Sequence, residues 1–247
     1  MIDLATASEV FCAGFSYSKS VTHPYLVGRR GPLLYMHDAP RKRDYRKVEF
    51  VAPEMPCEDV LEGVSAVRDE LGEAAARWAI CAIQPTSSVC PDTRDSYKSF
   101  GYRFLFTEPM MVASTADVPV LECSAFVSRV DDQAAADRLA KAAGNKPRPF
   151  APGLSRAYIA ELDGLPVGWV RSIETGEGMA WVAGMYVKTE FRRQGIAKAL
   201  LSFMLRDDAE QGIHMSVLLA SHTGALLYPA LGYEQIGTLH LFTPRRD

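Results

Sequence analysis

A change of apolar period within one short segment constrains this chain more than any other feature. Ala180–Val187 is an apolar run of strand length. From Ile196 the apolar residues Ile196, Leu200, Phe203 and Met204 recur at i, i+4, i+7 and i+8, one face of a helix expected to end near Gly212. Between them stands the polar turn Lys188-Thr189-Glu190-Phe191-Arg192-Arg193-Gln194-Gly195, which opens directly into the helix. The first turn of a helix has backbone N–H groups without internal partners, and the helix dipole adds partial positive charge there. Gly195 and the small Ala197 let a phosphate approach those donors, and Arg192 and Arg193 add formal charge. The segment reads as a pyrophosphate cradle. No Lys-Ser/Thr pair follows the glycine, against a triphosphate P-loop, and no earlier GxG precedes it, against a Rossmann site. An anion clamp for a diphosphate, needing no magnesium, is what remains. An arginine or glutamine three before a glycine, with a glycine or alanine two after it, arises by chance in roughly one chain of this length in four. The strand before and the helix after therefore carry the reading against the plainer one of an exposed basic helix end.

The surrounding order is equally informative. Phe126–Val130 reads as a strand and Asp131–Ala143 as a helix stopped by Gly144-Asn145. Arg156–Leu162, Val167–Glu174 and Ala180–Val187 are strands joined by the turns Asp163-Gly164 and Gly176-Glu177-Gly178. Met215–Ala220 follows the long helix as a strand, Gly224–Leu231 as a short helix, and Tyr233–Thr243 as one or two closing strands. The order β, α, three β, α, β, α, β belongs to an α/β mixed sheet (α+β) and not to a doubly wound fold. In the first half Ala5–Phe15 reads as a helix, Leu33–His37, Lys47–Val51 and Trp78–Ile83 as strands, and Val60, Val64, Val67 and Leu71 as one helix face. Tyr97-Lys98-Ser99-Phe100-Gly101-Tyr102 and Tyr228-Pro229-Ala230-Leu231-Gly232-Tyr233 share Tyr, Gly and Tyr at the same offsets, each after an apolar strand and a polar loop. An internal duplication is expected, with domains at 1–115 and 120–247 joined by the polar stretch Ala113–Pro119.

Composition narrows the function. With 27 basic against 30 acidic residues, a net charge of −3, the chain is not a general nucleic-acid binder. No apolar run has the length of a membrane span, and Met1-Ile2-Asp3-Leu4 is not a secretory signal. Cys12, Cys57, Cys81, Cys90 and Cys123 are odd in number, widely spaced and without a CxxC pair, so a reduced cytoplasmic protein is expected. The histidines His23, His37, His214, His222 and His240 show no ligand spacing, and no metal site is expected. Arg41–Lys47 is the one dense basic run; it reads as a solvated loop, with a contact to an acidic acceptor or to the ribose phosphate of a nucleotide as the sharper alternative. Phe11, Phe15, Tyr17, Tyr25 and Tyr35 read as core before they read as a pocket lining.

Val187-Lys188-Thr189-Glu190-Phe191-Arg192-Arg193-Gln194-Gly195-Ile196-Ala197 resembles the acyl-CoA-binding motif of the GCN5-related N-acetyltransferases (GNAT). Ser221-His222-Thr223-Gly224-Ala225-Leu226-Leu227-Tyr228-Pro229-Ala230-Leu231-Gly232-Tyr233 resembles that family's second motif, with Ser221 where Asn is usual and Gly224 where Ala is usual. The resemblance runs from about Cys123 to the C-terminus. It implies a GNAT-like acyl-CoA N-acyltransferase fold, in two tandem copies by the duplication above, and acetyl-CoA as cosubstrate. By the same resemblance the amides of Arg193, Gln194, Gly195, Ile196 and Ala197 hold the pyrophosphate, with Arg192 beside them. Met185 and Val187 hydrogen-bond the pantetheine arm like an added strand, Ser221 offers it a hydroxyl, and Tyr228 gives a proton to the leaving thiolate.

The implied reaction is direct attack of a small-molecule or peptide amine on the thioester, with the oxyanion met by a strand N–H. Glu174, Glu177 and His222 are candidate bases by position only, each also reading as solvated surface or turn, and a satisfied core histidine is one reading of His214. The first half has Pro53-Glu54-Met55-Pro56-Cys57-Glu58-Asp59-Val60 where the loop should be, without glycine or arginine and acidic, so it is expected not to bind coenzyme A. Its expected role is to extend the sheet and wall the acceptor pocket. A non-catalytic acyl-CoA sensor or interaction module is the alternative for the whole chain. The acceptor and the oligomeric state are not encoded in these motifs.

Overall fold

The computed structural model describes residues 2–86 and 93–245; Cys90 lies outside them. Unit 1 comprises Met1–Val112, Leu219–His222 and Gln235–Asp247, and unit 2 comprises Ala113–Leu218 and Thr223–Glu234. The units are therefore not two contiguous halves, and the closing strand expected in the second half falls in the first unit.

Unit 1 runs α1 (Leu4–Lys19), β1 (Tyr25–Arg30), β2 (Leu33–Asp38), β3 (Val48–Pro53), α2 (Cys57–Leu71), β4 (Trp78–Pro85), α3 (Thr93–Ser99) and β5 (Tyr102–Ser114). Unit 2 runs β6 (Phe126–Arg129), α4 (Gln133–Ala142), β7 (Ser155–Leu162), β8 (Leu165–Gly176), β9 (Met179–Val187), α5 (Ile196–Glu210) and β10 (Met215–Leu219), then the 3-10 turns Gly224–Leu226 and Tyr228–Leu231. The short helix expected over 224–231 is thus two tight turns. The last strand, β11 (Glu234–Pro244), is one strand that pairs antiparallel with β4 from Gly237↔Pro85 to Phe242↔Ile80.

Both units use one topology. β1–β2 and β2–β3 are antiparallel and β3–β4 parallel; β7–β8 and β8–β9 are antiparallel and β9–β10 parallel. In each, the parallel connection carries the long helix, because parallel neighbours need a crossover. The repeated Tyr-Gly-Tyr motif also keeps its geometry. Gly101 and Gly232 take left-handed φ of 81° and 80°, the conformation glycine adopts without steric cost. The tyrosines around them meet edge to face, Tyr97–Tyr102 at 6.0 Å and Tyr228–Tyr233 at 5.4 Å.

The core of unit 1 gathers Phe50, Val60, Val64, Val67, Ile80, Tyr97 and Phe242. Three of the four valine and leucine positions read as one face of α2 are fully buried. Two arginines of the basic run are turned inward, while Lys42 and Arg43 are exposed. Arg41 and Arg46 pair with Asp38, whose side chain is buried, and Arg46 also donates to the carbonyls of Lys19 and His23 at 2.6 and 2.8 Å. The described cysteines are thiols. No helix among the described residues is long and apolar enough to cross a membrane.

In unit 2, α5 buries Ile196, Leu200, Leu201, Met204 and Leu205, and its far end is fixed by charge. Arg156 on β7 donates to Asp208 Oδ1 at 2.9 Å, Ser172 on β8 donates to Asp208 Oδ2 at 2.7 Å, and Tyr158 donates to Asp207 at 2.7 Å. Removing one partner of a buried pair leaves an uncompensated charge, a cost of about 3–5 kcal/mol. Asp208→Ala is therefore expected to lower the unfolding free energy in urea by about 3 kcal/mol or more. Glu174→Ala, which removes the half-exposed second partner of Arg156, is expected to cost about 1 kcal/mol or less.

Candidate active site

Three local features of unit 2 converge at the end of β9. The first is strand separation. β9 and β10 pair through Met215↔Met179, Ser216↔Ala180 and Val217↔Trp181, and no further pair joins them. Beyond that point β9 continues to Val187 with β8 as its partner, so its other edge faces a gap. The second is a bulge. Between Arg171↔Ala183 and Trp169↔Tyr186, β9 advances three residues while β8 advances two, with Gly184 in the left-handed region at φ 63°. A bulge bends a strand and leaves backbone groups unpaired.

The third feature is the entry to α5. Gly195 is its N-cap at φ 81°, and no side chain caps the helix. α1 and α4 close such ends, the Thr6 N–H donating to Asp3 Oδ1 and the Ala135 N–H to Asp132 Oδ1, each at 2.7 Å; α2 also lacks a side-chain cap but carries Glu58 and Asp59 in its first turn. The first turn of α5 also has no acidic residue, and Arg192, Arg193, Gln194 and Gly195 are exposed. The amides of this turn stay open to an anion, with the dipole adding to their pull. Arg193 holds a left-handed φ of 64°. Arg192 folds back onto β9: its Nε donates to the Val187 carbonyl at 2.9 Å, and its guanidinium lies 5.7 Å from the Tyr186 ring. That side chain braces the turn while the main chain supplies the open donors.

Tyr228 lies on the second 3-10 turn, which packs against α5. Its ring meets Tyr233 edge to face, and the Tyr233 hydroxyl is 2.7 Å from Ser216 Oγ on β10. Burial pushes the Tyr228 phenol up to about 12, and its hydroxyl forms no hydrogen bond among the described residues. It is a phenol with its proton uncommitted. Met185 and Val187 stand on β9, half-buried and buried, and Ile196 and Ala197 in the first turn of α5. Ser221 lies in the exposed turn after β10, a segment that goes with unit 1.

The candidate bases separate. Glu174 is paired with Arg156 at 3.1 Å, and Glu177 occupies the exposed β8–β9 turn. His214 is exposed and not a core residue; it packs over the Gly178 turn. His222 Nε2 is 2.8 Å from Thr107 Oγ1 in unit 1, beside Glu108, whose carboxyl is raised by burial and held down in part by His222. The sequence reading did not single out Glu108, which lies on β5 beyond the end of the Tyr-Gly-Tyr motif. It also missed the Gly184 bulge, although a lone glycine inside an apolar strand is the usual trace of one.

Unit 1 has the same elements without these features. β3 and β4 stay paired over six residues, from Val48↔Trp78 to Pro53↔Ile83. α2 begins after Pro56 with Glu58 and Asp59 in its first turn, which places negative charge where a phosphate would sit. Tyr97, at the position matching Tyr228, is 1% exposed and stacked on Phe242 at 4.3 Å, with its hydroxyl buried and unpartnered.

Residues 153–235 match the acetyltransferase (GNAT) domain family. Among solved structures, the chain is similar to a GCN5-related N-acetyltransferase from Kribbella flavida, with 18% identity over 100% of this chain and 98% of that one and a TM-score of 0.67. It is also similar to a GCN5-related N-acetyltransferase from Sphaerobacter thermophilus, with 20% identity over 87% and 78% and a TM-score of 0.54. A GCN5-related N-acetyltransferase-like protein from Streptococcus suis aligns at 15% identity over 92% and 90%, with a TM-score of 0.52. No curated protein matches the chain. The mixed α/β fold is GNAT-like over the full length. A β-branched side chain at Gly195 would be strained at its positive φ by about 1–2 kcal/mol. Gly195→Val is therefore expected to lower the melting temperature by a few degrees, read by scanning calorimetry.

Proposed function

We propose that this chain, a GNAT-fold protein with its family domain at residues 153–235, is an N-acetyltransferase that moves an acetyl group from acetyl-CoA to an amine in a ternary complex. The observation that carries the reading is the parting of β9 from β10 beside the uncapped start of α5. The exposed, glycine-bearing turn fits a diphosphate, because open amides and no carboxylate occupy its first turn. The amides of Arg193–Ala197 would hold the pyrophosphate, and the free edge of β9 at Met185 and Val187 would align the pantetheine. When bound, acetyl-CoA supplies an activated thioester.

The chain's own contribution is placement and one proton. An N–H on the free edge of β9 steadies charge on the thioester oxygen. Tyr228 donates its phenolic proton as the thiolate leaves, and Tyr233, pinned to Ser216, keeps that ring in position. Unit 1 is the degenerate copy, closed at each of the corresponding places, so one donor binds per chain.

Calorimetry with acetyl-CoA should give one site per chain; two sites would reject the degenerate assignment. Thiol release across an amine panel should detect turnover. Tyr228→Phe should lower kcat by about 100-fold while leaving the acetyl-CoA Kd unchanged. If the wild-type protein binds acetyl-CoA yet releases thiol at the buffer rate across the panel, the chain is an acyl-CoA sensor.

The raised phenol also fixes a pH dependence. A phenol at about 12 keeps its proton as pH rises through its ordinary value near 10. Between about pH 8 and 10 kcat should show no alkaline fall assignable to Tyr228. A titration near 10 that disappears in Tyr228→Phe would contradict the buried donor.

A further inference from the structure

The register of unit 2 places an unusual group on the sheet face opposite α5. Gly168 faces the helix, since a Cβ there would lie 3.1 Å from Leu200 and 3.2 Å from the Val187 side chain. Side chains alternate along a strand, so the next pair, Trp169 and Tyr186, points the other way. Ile159, the cross-strand neighbour of Trp169 on β7, belongs to the apolar cluster under α4. The two rings stack at 4.9 Å and 28°, yet Tyr186 remains 41% exposed. Arg171 shares this face. It is exposed, and its Nη2 lies 3.9 Å from where a Cβ on Gly184 would be, directly over the bulge. Arg192 approaches the Tyr186 ring from the loop side. Among the described residues no carboxylate pairs with Arg171 or Arg192, although the chain pairs Arg129, Arg138 and Arg156 nearby.

Core packing does not call for this arrangement. A stacked pair of a half-buried Trp169 and an exposed Tyr186, flanked by two guanidiniums with no carboxylate partner, is the chemistry that receives a planar ring bearing an acid. It also disfavours a polycation, which would meet like charge. Its position suits an acceptor. On the reading above the donor occupies the α5 side of the gap, so an amine must reach the carbonyl from the opposite face.

We propose that Trp169, Tyr186 and Arg171 form the acceptor site, and that the acceptor is an aliphatic primary amine carrying an aromatic ring and a carboxylate, of the aromatic α-amino acid class. The ring stacks on Trp169 and Tyr186 while the carboxylate meets Arg171. The amine nitrogen bonds to the acyl carbon and the C–S bond breaks. The thiolate takes the Tyr228 proton, the proton shed by the amine passes to water, and Tyr228 recovers its own from solvent. The products are the N-acetyl amino acid and free coenzyme A. This inference rests on the acetyltransferase reading of unit 2.

The test uses the full chain with L-phenylalanine, phenethylamine and spermidine as acceptors. L-Phenylalanine should have the highest kcat/KM, and phenethylamine, lacking only the carboxylate, should be at least tenfold poorer. Arg171→Gln and Trp169→Phe should each raise the L-phenylalanine KM several-fold or more, with the coenzyme A Kd unchanged. Arg171→Gln should also abolish the difference between L-phenylalanine and phenethylamine. Binding of L-phenylalanine to the coenzyme A complex, followed by tryptophan fluorescence, gives a readout independent of turnover. If coenzyme A binds but L-phenylalanine does not, or if spermidine or phenethylamine is preferred, this acceptor assignment is overturned alone. If coenzyme A itself does not bind, the acetyltransferase reading falls and takes the assignment with it.

Discussion

Two parallel strands that begin paired and then separate leave a row of main-chain donors and acceptors facing open space. In a folded protein such groups are costly unless something satisfies them. β9 and β10 stop pairing after Val217↔Trp181, and a glycine bulge bends β9 just beyond. The helix that follows starts on an exposed glycine turn with neither a side-chain cap nor a first-turn carboxylate. Each feature alone has a plain structural explanation. Together they put an unpaired strand edge and an uncapped positive helix end on one continuous stretch of chain, as an extended thioester ending in a diphosphate requires.

Unit 1 is a natural control for that argument, because it repeats the topology and changes the details. Its parallel pair stays zipped for six residues, its helix begins behind a proline with two acids in the first turn, and its tyrosine is covered by Phe242. The Tyr-Gly-Tyr turn has nonetheless kept its left-handed glycine and its edge-to-face rings. The motif therefore has a packing role in both units. Both tyrosines are buried, Tyr228 at 7% exposed and Tyr97 at 1%, and what differs is that Tyr97 is stacked on Phe242.

Most of the elements were legible in the sequence because their signals are local. The face of α5, the valines of α2 and the meander turns after Leu162 and Ile173 depend on neighbours a few residues apart. The cradle was legible for the same reason, as strand, glycine turn and helix are contiguous. β1 was missed because it buries Tyr25 and leaves most of its other side chains exposed, so no apolar pattern marks it. The destination of β11 was missed because its partner, β4, stands about 150 residues earlier in the sequence. The Trp169–Tyr186 pair was hidden likewise, since the register that joins them is set by a bulge and not by spacing.

The path of β11 ties these observations together. The turn holding Tyr228 ends at Gly232, and the chain then runs into unit 1, where Phe242 stacks on Tyr97. The strand that follows Tyr228 is thus the one that covers Tyr97. The two units differ at several matching positions, and α2 carries Glu58 and Asp59 where α5 has no acid in its first turn. The stacked ring differs in kind, because it makes its position core: Tyr97 joins Phe50, Ile80 and Val64 in one apolar cluster. Exposing the Tyr97 hydroxyl would require removing that packing. The asymmetry between the two units is therefore held in place by the stability of the fold itself.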